Sequence, residues 1–271
     1  MAATTATVRR ARRAPPAVLR SFAYWLYQYK RTWRGSVVST LLNPLIFLTA
    51  MGLGLGTLVN SSAGGQRLGV GYLAFIAPGV LAATAMQTAA GEATYPVMAS
   101  IKWVRTYHAM LATPLGVRDV LVGHLAWMTT RVAMGSVAFF LGMALFGTLQ
   151  SGWAILALPA AILTGVAFVT PIAAFAAAQE SESHYASLFR FGIMPMFLFS
   201  GVFFPLAQVP GLLRPLAYVT PLWHGVDLCR GLTLGVGLTP AGAALHVGYL
   251  ALWAAVGFWV ATVTFRGRLV R

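Results

Sequence analysis

The run from about Ser36 to Leu58 carries no charged side chain. At about 1.5 Å of rise per residue it is long enough, as a helix, to cross a hydrocarbon core of about 30 Å. Similar runs begin near Val70 and cover about 121–146, 154–178, 188–206 and 241–264. Backbone N–H and C=O groups in lipid have no water to bond, so runs of this kind close their own hydrogen bonds as helices. The chain is therefore predicted to be an all-α integral membrane protein with six transmembrane helices. Pro78 and Gly79 are expected to bend the second span, which loses hydrophobicity around Gly91 and Glu92. Composition agrees: 58% of the 271 residues are hydrophobic and only 9% are charged, with a mean hydropathy of +0.75. A soluble domain carries about 25% charged residues, and so few charges cannot clothe a water-facing surface.

The segments outside these runs differ in character. Residues 1–16 are basic, end in Pro15-Pro16 and read as a disordered tail, leaving 17–271 as one membrane domain. In 17–34, Val18, Phe22, Trp25, Tyr29 and Trp33 fall on one helical face, while Arg20, Lys30, Arg31 and Arg34 can reach headgroups. This pattern predicts an amphipathic helix in the membrane interface; an ordinary helix packed on protein would carry the same face. Residues 99–118 are amphipathic too, with Lys102, Arg105 and Arg118. Residues 207–240 are apolar but interrupted by Pro210, Pro215, Pro221 and several glycines. They read as short helices that dip into the membrane or lie on it, since irregular backbone at that depth must be covered by protein or line a cavity.

Charge placement gives an orientation. The net charge is +14, from 19 Lys and Arg against 5 Asp and Glu. With both termini inside, the inner segments hold Arg9, Arg10, Arg12, Arg13, Arg20, Lys30, Arg31, Arg34, Lys102, Arg105, Arg118, Arg190, Arg266, Arg268 and Arg271. The outer segments hold Arg67, Arg214 and Arg230. Such an imbalance is the positive-inside signature, and beside a hydrophobic run a basic terminus points to anionic lipid rather than nucleic acid. No convincing signal peptide is present: the first apolar run starts too late and is too long. Arg131 lies inside the third span, where a charge either marks a pathway or snorkels to the interface.

Catalytic equipment is not legible. Cys229 is the single cysteine, which excludes an intrachain disulfide and a Cys-rich metal site. His108, His124, His184, His224 and His246 show no metal-ligand spacing. Of the carboxylates Glu92, Asp119, Glu180, Glu182 and Asp227, only Glu180 and Glu182 are close, and residues two apart on a helix do not share a face. A phosphate-binding P-loop needs Gly-Lys, and the only lysines follow Tyr29 and Ile101. No carboxylate stands at mid-membrane, which argues against an ion-coupled carrier.

One ordered pattern spans the C-terminal third. Phe197-Leu-Phe-Ser-Gly-Val-Phe-Phe-Pro-Leu206 is followed by Pro210, Leu216, Thr220-Pro221-Leu222 and Arg230-Gly231. It resembles the C-terminal signature of type-2 ABC transporter permeases. Asn43-Pro44-Leu45-Ile46-Phe47 and Gly52-Leu53-Gly54-Leu55-Gly56 resemble the NodJ-like and DrrB-like branch. Ser62-Ala63-Gly64-Gly65-Gln66 is similar to the signature loop of ABC ATPases, but between two spans it reads as a Gly-rich turn. The resemblance implies that 17–34 is an interfacial gate helix carrying Phe22, Trp25, Tyr29 and Trp33. It implies that 99–118 is the loop bearing a coupling helix for a separate ATPase, with Trp103, Tyr107 and Met110 as apolar knobs among Lys102 and Arg105. It implies that 205–235, with Pro205, Pro221 and Arg230, forms outer re-entrant helices.

Export of an amphipathic substrate is the implied function: a lipid-linked glycan, a lipooligosaccharide or a hydrophobic drug. Two ATPase subunits holding ATP and Mg, and a second permease copy or a related permease, are the implied partners. No cofactor, metal or nucleic acid is expected on this chain. The implied location is a bacterial plasma membrane with both termini cytoplasmic. A membrane-embedded transferase, or a channel or ion-coupled carrier, are the alternatives. The first would need clustered polar residues at one membrane face, and the second would work without an ATPase.

Overall fold

The computed structural model of the chain describes residues 15–62, 69–208, 211 and 214–270. The expected disordered tail, apart from Pro15 and Pro16, lies outside the described residues, as do Arg67, Pro210, Arg271 and the Gly-rich turn beyond Ser62.

Among the described residues every regular element is a helix. Helix α1 covers Ala17–Asn60 and α2 covers Tyr72–Trp103. The short α3, Thr106–Leu111, leads into α4, Val117–Leu145. Helix α5 is Ala154–Ala178, and α6 occupies 183–199. Two short helices follow, α7 at Arg214–Val219 and α8 at Pro221–Leu234, before α9 at Pro240–Leu269. Five of these, α1, α2, α4, α5 and α9, are long and apolar enough to cross a membrane.

Contacts at two ends define a bundle. At the Glu180 end, Lys102 of α2 donates to the Glu180 carbonyl, Arg268 of α9 pairs with the Glu180 carboxylate at 3.5 Å, and Ser21 of α1 donates to the Val120 carbonyl of α4 at 3.4 Å. At the opposite end, the Tyr72 amide donates to Asn60 at 2.9 Å, the Gln150 amide donates to the Thr233 carbonyl at 2.9 Å, and Arg230 donates to the carbonyls of Phe75 and Gly201. The five long helices each connect these two ends. So does α6, which leaves the Glu180 end and stops beside Gly201. Both described chain ends therefore lie at the Glu180 end.

Three boundaries differ from the sequence expectation. No break separates 17–34 from the first span, because the helix is continuous through Gly35. A single Gly costs a helix about 1 kcal/mol, and packing against α4 offsets it. A rod of 44 residues is about 66 Å long, so only part of it fits a hydrocarbon core. Helix α2 stays regular through Pro78 and breaks instead at Thr94 (φ −97°, ψ −90°). Pro96 lacks an N–H and its ring crowds the carbonyl four residues back. Helix α6 ends at Phe199, ahead of the expected 206, because Gly201 takes a left-handed turn at φ 77° that closes a helix C-terminus. Among the described residues of 207–240, short helices stand at Arg214–Val219 and Pro221–Leu234.

The core centres on α2, 78% of whose apolar window is buried, against 12% for α1 and 17% for α9. Helix α2 is enclosed by α4, α5 and α8; α9 packs along α5, and α1 along α4. Two glycines set those seams. A Cβ on Gly257 of α9 would stand 2.7 Å from the Pro171 nitrogen of α5, and one on Gly123 of α4 would stand 2.5 Å from Ser21 Cβ of α1. Thr170 adds an interhelical bond to the Ala254 carbonyl at 3.1 Å beside Gly257.

Candidate functional site

The polar residues fall into three groups, one at the Glu180 end, one between α1, α2 and α4, and one at the opposite end. Helix α2 finishes in a π-turn, Ala99–Trp103, and Arg105 then adopts a left-handed conformation, φ 54° and ψ 30°. It is the single non-glycine residue with positive φ among those described, at a cost of about 1–2 kcal/mol. This corner projects Lys102, Trp103, Val104 and Arg105 outward, with Trp103 56% and Val104 69% exposed. Lys102, Arg105, His108 and Arg268 line a basic cleft of about 540 Å³ behind them.

Past the corner, α3 turns the other way. Thr106, Tyr107 and Met110 face the interior, with Tyr107 fully buried, so the expectation that Tyr107 and Met110 are docking knobs is corrected. Their apolar face is real but is covered by the chain's own α1, α4 and α9: the Tyr107 ring lies 6.4 Å from Trp25, 5.7 Å from His124 and 5.6 Å from Phe265. Burial pushes the Tyr107 hydroxyl well above its ordinary pKa, and the hydroxyl shares a hydrogen bond with His124 Nδ1 at 2.5 Å. The His124 ring stacks on Trp25, centroids 3.7 Å apart and planes within 7°.

The second group joins α1, α2 and α4. Arg131 Nε donates to Glu92 Oε1 at 2.9 Å, and its guanidinium lies 4.9 Å from the Tyr29 ring. Tyr29 and Phe22 contact Trp127 at 5.3 and 6.1 Å. Of the four residues expected to mark a gate helix, Phe22, Trp25 and Tyr29 are thus gathered against α4, whereas Trp33 is exposed. The Glu92 to Arg131 pair was not visible in the sequence, since no local spacing links residues that far apart. A lone basic residue in a span and a lone carboxylate at the end of a neighbouring one were its only signal.

The third group holds the opposite end together. Arg230 bridges the carbonyls of Phe75, Gly201 and Val202 at 3.2, 2.8 and 3.3 Å and lies 3.9 Å over the Phe75 ring. Pro221 starts α8 behind Thr220, whose hydroxyl accepts from the Trp223 amide and meets Ser200 at 3.0 Å. Pro205 follows the Gly201 turn. His224 donates from Nε2 to the Tyr218 carbonyl at 3.1 Å and meets His246 Nδ1 at 2.8 Å; His246 Nε2 reaches Asp227 at 3.1 Å. Two further acidic residues hold the fold: Asp119 accepts from the Gly116 amide at 2.9 Å and caps α4, and Glu180 takes Lys102 of α2 on its backbone carbonyl and Arg268 of α9 on its carboxylate.

The family model for the ABC-2 type transporter matches residues 20–234. Nodulation protein J of Rhizobium leguminosarum bv. viciae is 33% identical over 260 residues, 95% of this chain and 98% of that protein. Nodulation protein J of Rhizobium meliloti is 32% identical over 251 residues, 92% of this chain and 93% of its own length. The match runs across the outward corner, the Glu92 to Arg131 pair and the Arg230 staple alike, and the chain belongs to the ABC-2 type transporter family as a NodJ-like, multi-pass membrane permease.

Proposed function

We propose that this chain is the membrane-spanning subunit of an ATP-driven exporter, paired with a second permease, its own copy or a related one, and driven by two ATPase subunits that hold ATP and Mg. The observation that carries this reading is the outward corner at Lys102–Arg105. Trp103 and Val104 are exposed where a water-soluble partner can bury them, and the basic cleft behind them suits an acidic rim on that partner. Burial of two large apolar side chains supplies affinity, while the surrounding charges steer the encounter.

In this reading α6 is the remaining span, the Glu180 end faces the cytoplasm of a bacterium, and the short helices 205–235 close the outer side of the plasma membrane. The cargo is amphipathic: a lipid-linked glycan, a lipooligosaccharide or a hydrophobic drug. The test is co-purification with an ABC ATPase subunit from the same organism. The double variant Trp103→Glu/Val104→Glu is expected to lose the ATPase subunit and ATP-dependent transport while its thermal unfolding is unchanged. Retention of both partner and transport in that variant rules the docking surface out.

A further inference from the structure

A buried histidine pair joins the short helices of the Arg230 end to α9. His224 of α8 and His246 of α9 are 4% and 5% exposed. Their rings meet Nδ1 to Nδ1 at 2.8 Å, each edge-on to Trp223, and the Tyr249 ring stacks on His224 with centroids 3.9 Å apart. The far nitrogens are bound as well. His224 Nε2 meets the Tyr218 carbonyl of α7 at 3.1 Å, and His246 Nε2 meets the Asp227 carboxylate of α8 at 3.1 Å. The Asp227 side chain is 43% exposed and lines a cavity of about 250 Å³ with Arg230 and the exposed Val236, so water reaches one end of this chain of contacts.

Counting protons decides the charge of these contacts. A carbonyl oxygen only accepts, so His224 Nε2 carries a proton; an ionised carboxylate only accepts, so His246 Nε2 carries one too. The contact between the two Nδ1 atoms then needs a third. Two neutral imidazoles bring only two protons, which leaves either two lone pairs facing each other at 2.8 Å or a bare nitrogen against the carboxylate. With three protons every contact is a hydrogen bond, the pair carries one positive charge, and Asp227 cancels it. Burial favours that neutral sum over an uncompensated charge. The other titratable groups of the packed elements are engaged elsewhere. Arg230 is spent on three carbonyls and the Phe75 ring, Arg214 of α7 donates to the Ala207 carbonyl, and Cys229 faces the Ala157 carbonyl. The Tyr249 hydroxyl donates to the Val219 carbonyl, and the Tyr218 ring lies edge-on to Trp223. Helix α2 brings only Tyr72 to this end; α5, α4 beyond Arg131 and α6 beyond Arg190 bring no titratable side chain.

We infer that His224, His246 and Asp227 form a proton-binding site, with the proton held on His246, and that the bound proton locks α7 and α8 onto α9. The lock is closed in acid. When the proton leaves, one of the three contacts turns repulsive and α8 is held less firmly. The folded chain binds a proton that the unfolded chain gives up, so this contribution to stability is present in acid and lost as pH rises. As a gauge of the medium outside the cell the site rests on the export reading above; as a proton site it does not.

The test is nuclear magnetic resonance of the full chain in lipid nanodiscs with nitrogen-labelled histidine, the His246 signal being assigned by its loss in His246→Gln. At about pH 6 the His246 ring is expected to show both nitrogens protonated and the His224 ring Nε2 alone; at about pH 9 His246 is expected to keep one proton. Asp227→Asn keeps the shape and removes the charge, and is expected to lower the pH at which His246 titrates by about one unit. The thermal unfolding midpoint of the unmodified chain is expected to exceed that of Asp227→Asn in acid and to approach it in base. A His246 ring with a single proton at about pH 6, or a titration unmoved by Asp227→Asn, overturns the site; a difference in midpoint that is the same in acid and base overturns the lock. Which medium the site reads is decided separately. An impermeant maleimide that reaches Gly237→Cys from the cytoplasmic side would strike the topology of the export reading and leave the histidine spectra standing, so the two failures are told apart.

Discussion

At the scale of single residues, Tyr107 shows how an apolar face can be legible while its neighbours are not. Its face with Met110 was legible as i, i+3 spacing, but spacing says only that a face is apolar, not whether the chain's own helices or another protein cover it. Full burial and the bond to His124 decide that. Tyr107→Glu is therefore expected to destabilise the permease itself by more than about 3 kcal/mol, as an unpaired buried charge does, read as loss of cooperative thermal unfolding in detergent. Tyr107→Phe is expected to cost about 1 kcal/mol for the lost hydrogen bond. The same limit explains Arg131: the sequence posed its two alternatives, and only the fold could supply Glu92 as a partner. Arg230 was identified by its place in a pattern, and the structure gives the physical reason, three carbonyls and a ring face served by one guanidinium. Arg230→Lys offers fewer, less directional donors and is expected to lose about 2 kcal/mol.

At the scale of elements, hydrophobic runs gave the long helices well, because crossing a membrane leaves the backbone no other solution. Their ends were less legible, since ends depend on local backbone choices. Gly201 stops α6 early, Pro96 breaks α2 where Pro78 does not, and Gly35 fails to divide α1. Helix contacts rest on small residues that no apolar pattern reveals. Gly257→Ala is expected to cost about 1–3 kcal/mol by overpacking, because the added carbon would meet the Pro171 backbone, which cannot rotate away as a side chain does. A lowered midpoint of thermal unfolding checks it, with Gly248→Ala in the same helix as the control: there the added carbon meets nothing within 4 Å, and the midpoint is expected to hold or rise because Ala favours a helix over Gly by about 1 kcal/mol.

For the whole molecule, the two ends of the bundle make the topology testable. Cys229 is fully buried, so the unmodified chain is expected to resist an impermeant maleimide until it is unfolded, which provides a clean background. Against it, Ser183→Cys and Gly267→Cys are expected to label from the cytoplasmic side only, and Gly237→Cys from the outside only. Labelling of 183 and 237 from one side would mean that α6 does not cross. The weak burial of α1 and α9 within the chain accords with faces left for lipid or for a second permease.

The left-handed corner at Arg105 has a mechanical consequence. An L-residue held at φ 54° has few neighbouring conformations to slide into, so the corner acts as a crank rather than a hinge. On the export reading, force applied to Trp103 and Val104 would turn α3 with them, and α3 is tied by one hydrogen bond and one ring stack to Trp25 of α1. The linkage is three side chains long. Tyr107→Phe leaves its shape intact and removes its first pin, so in an assembled transporter ATP is expected to be hydrolysed at an undiminished rate while less cargo is moved per ATP.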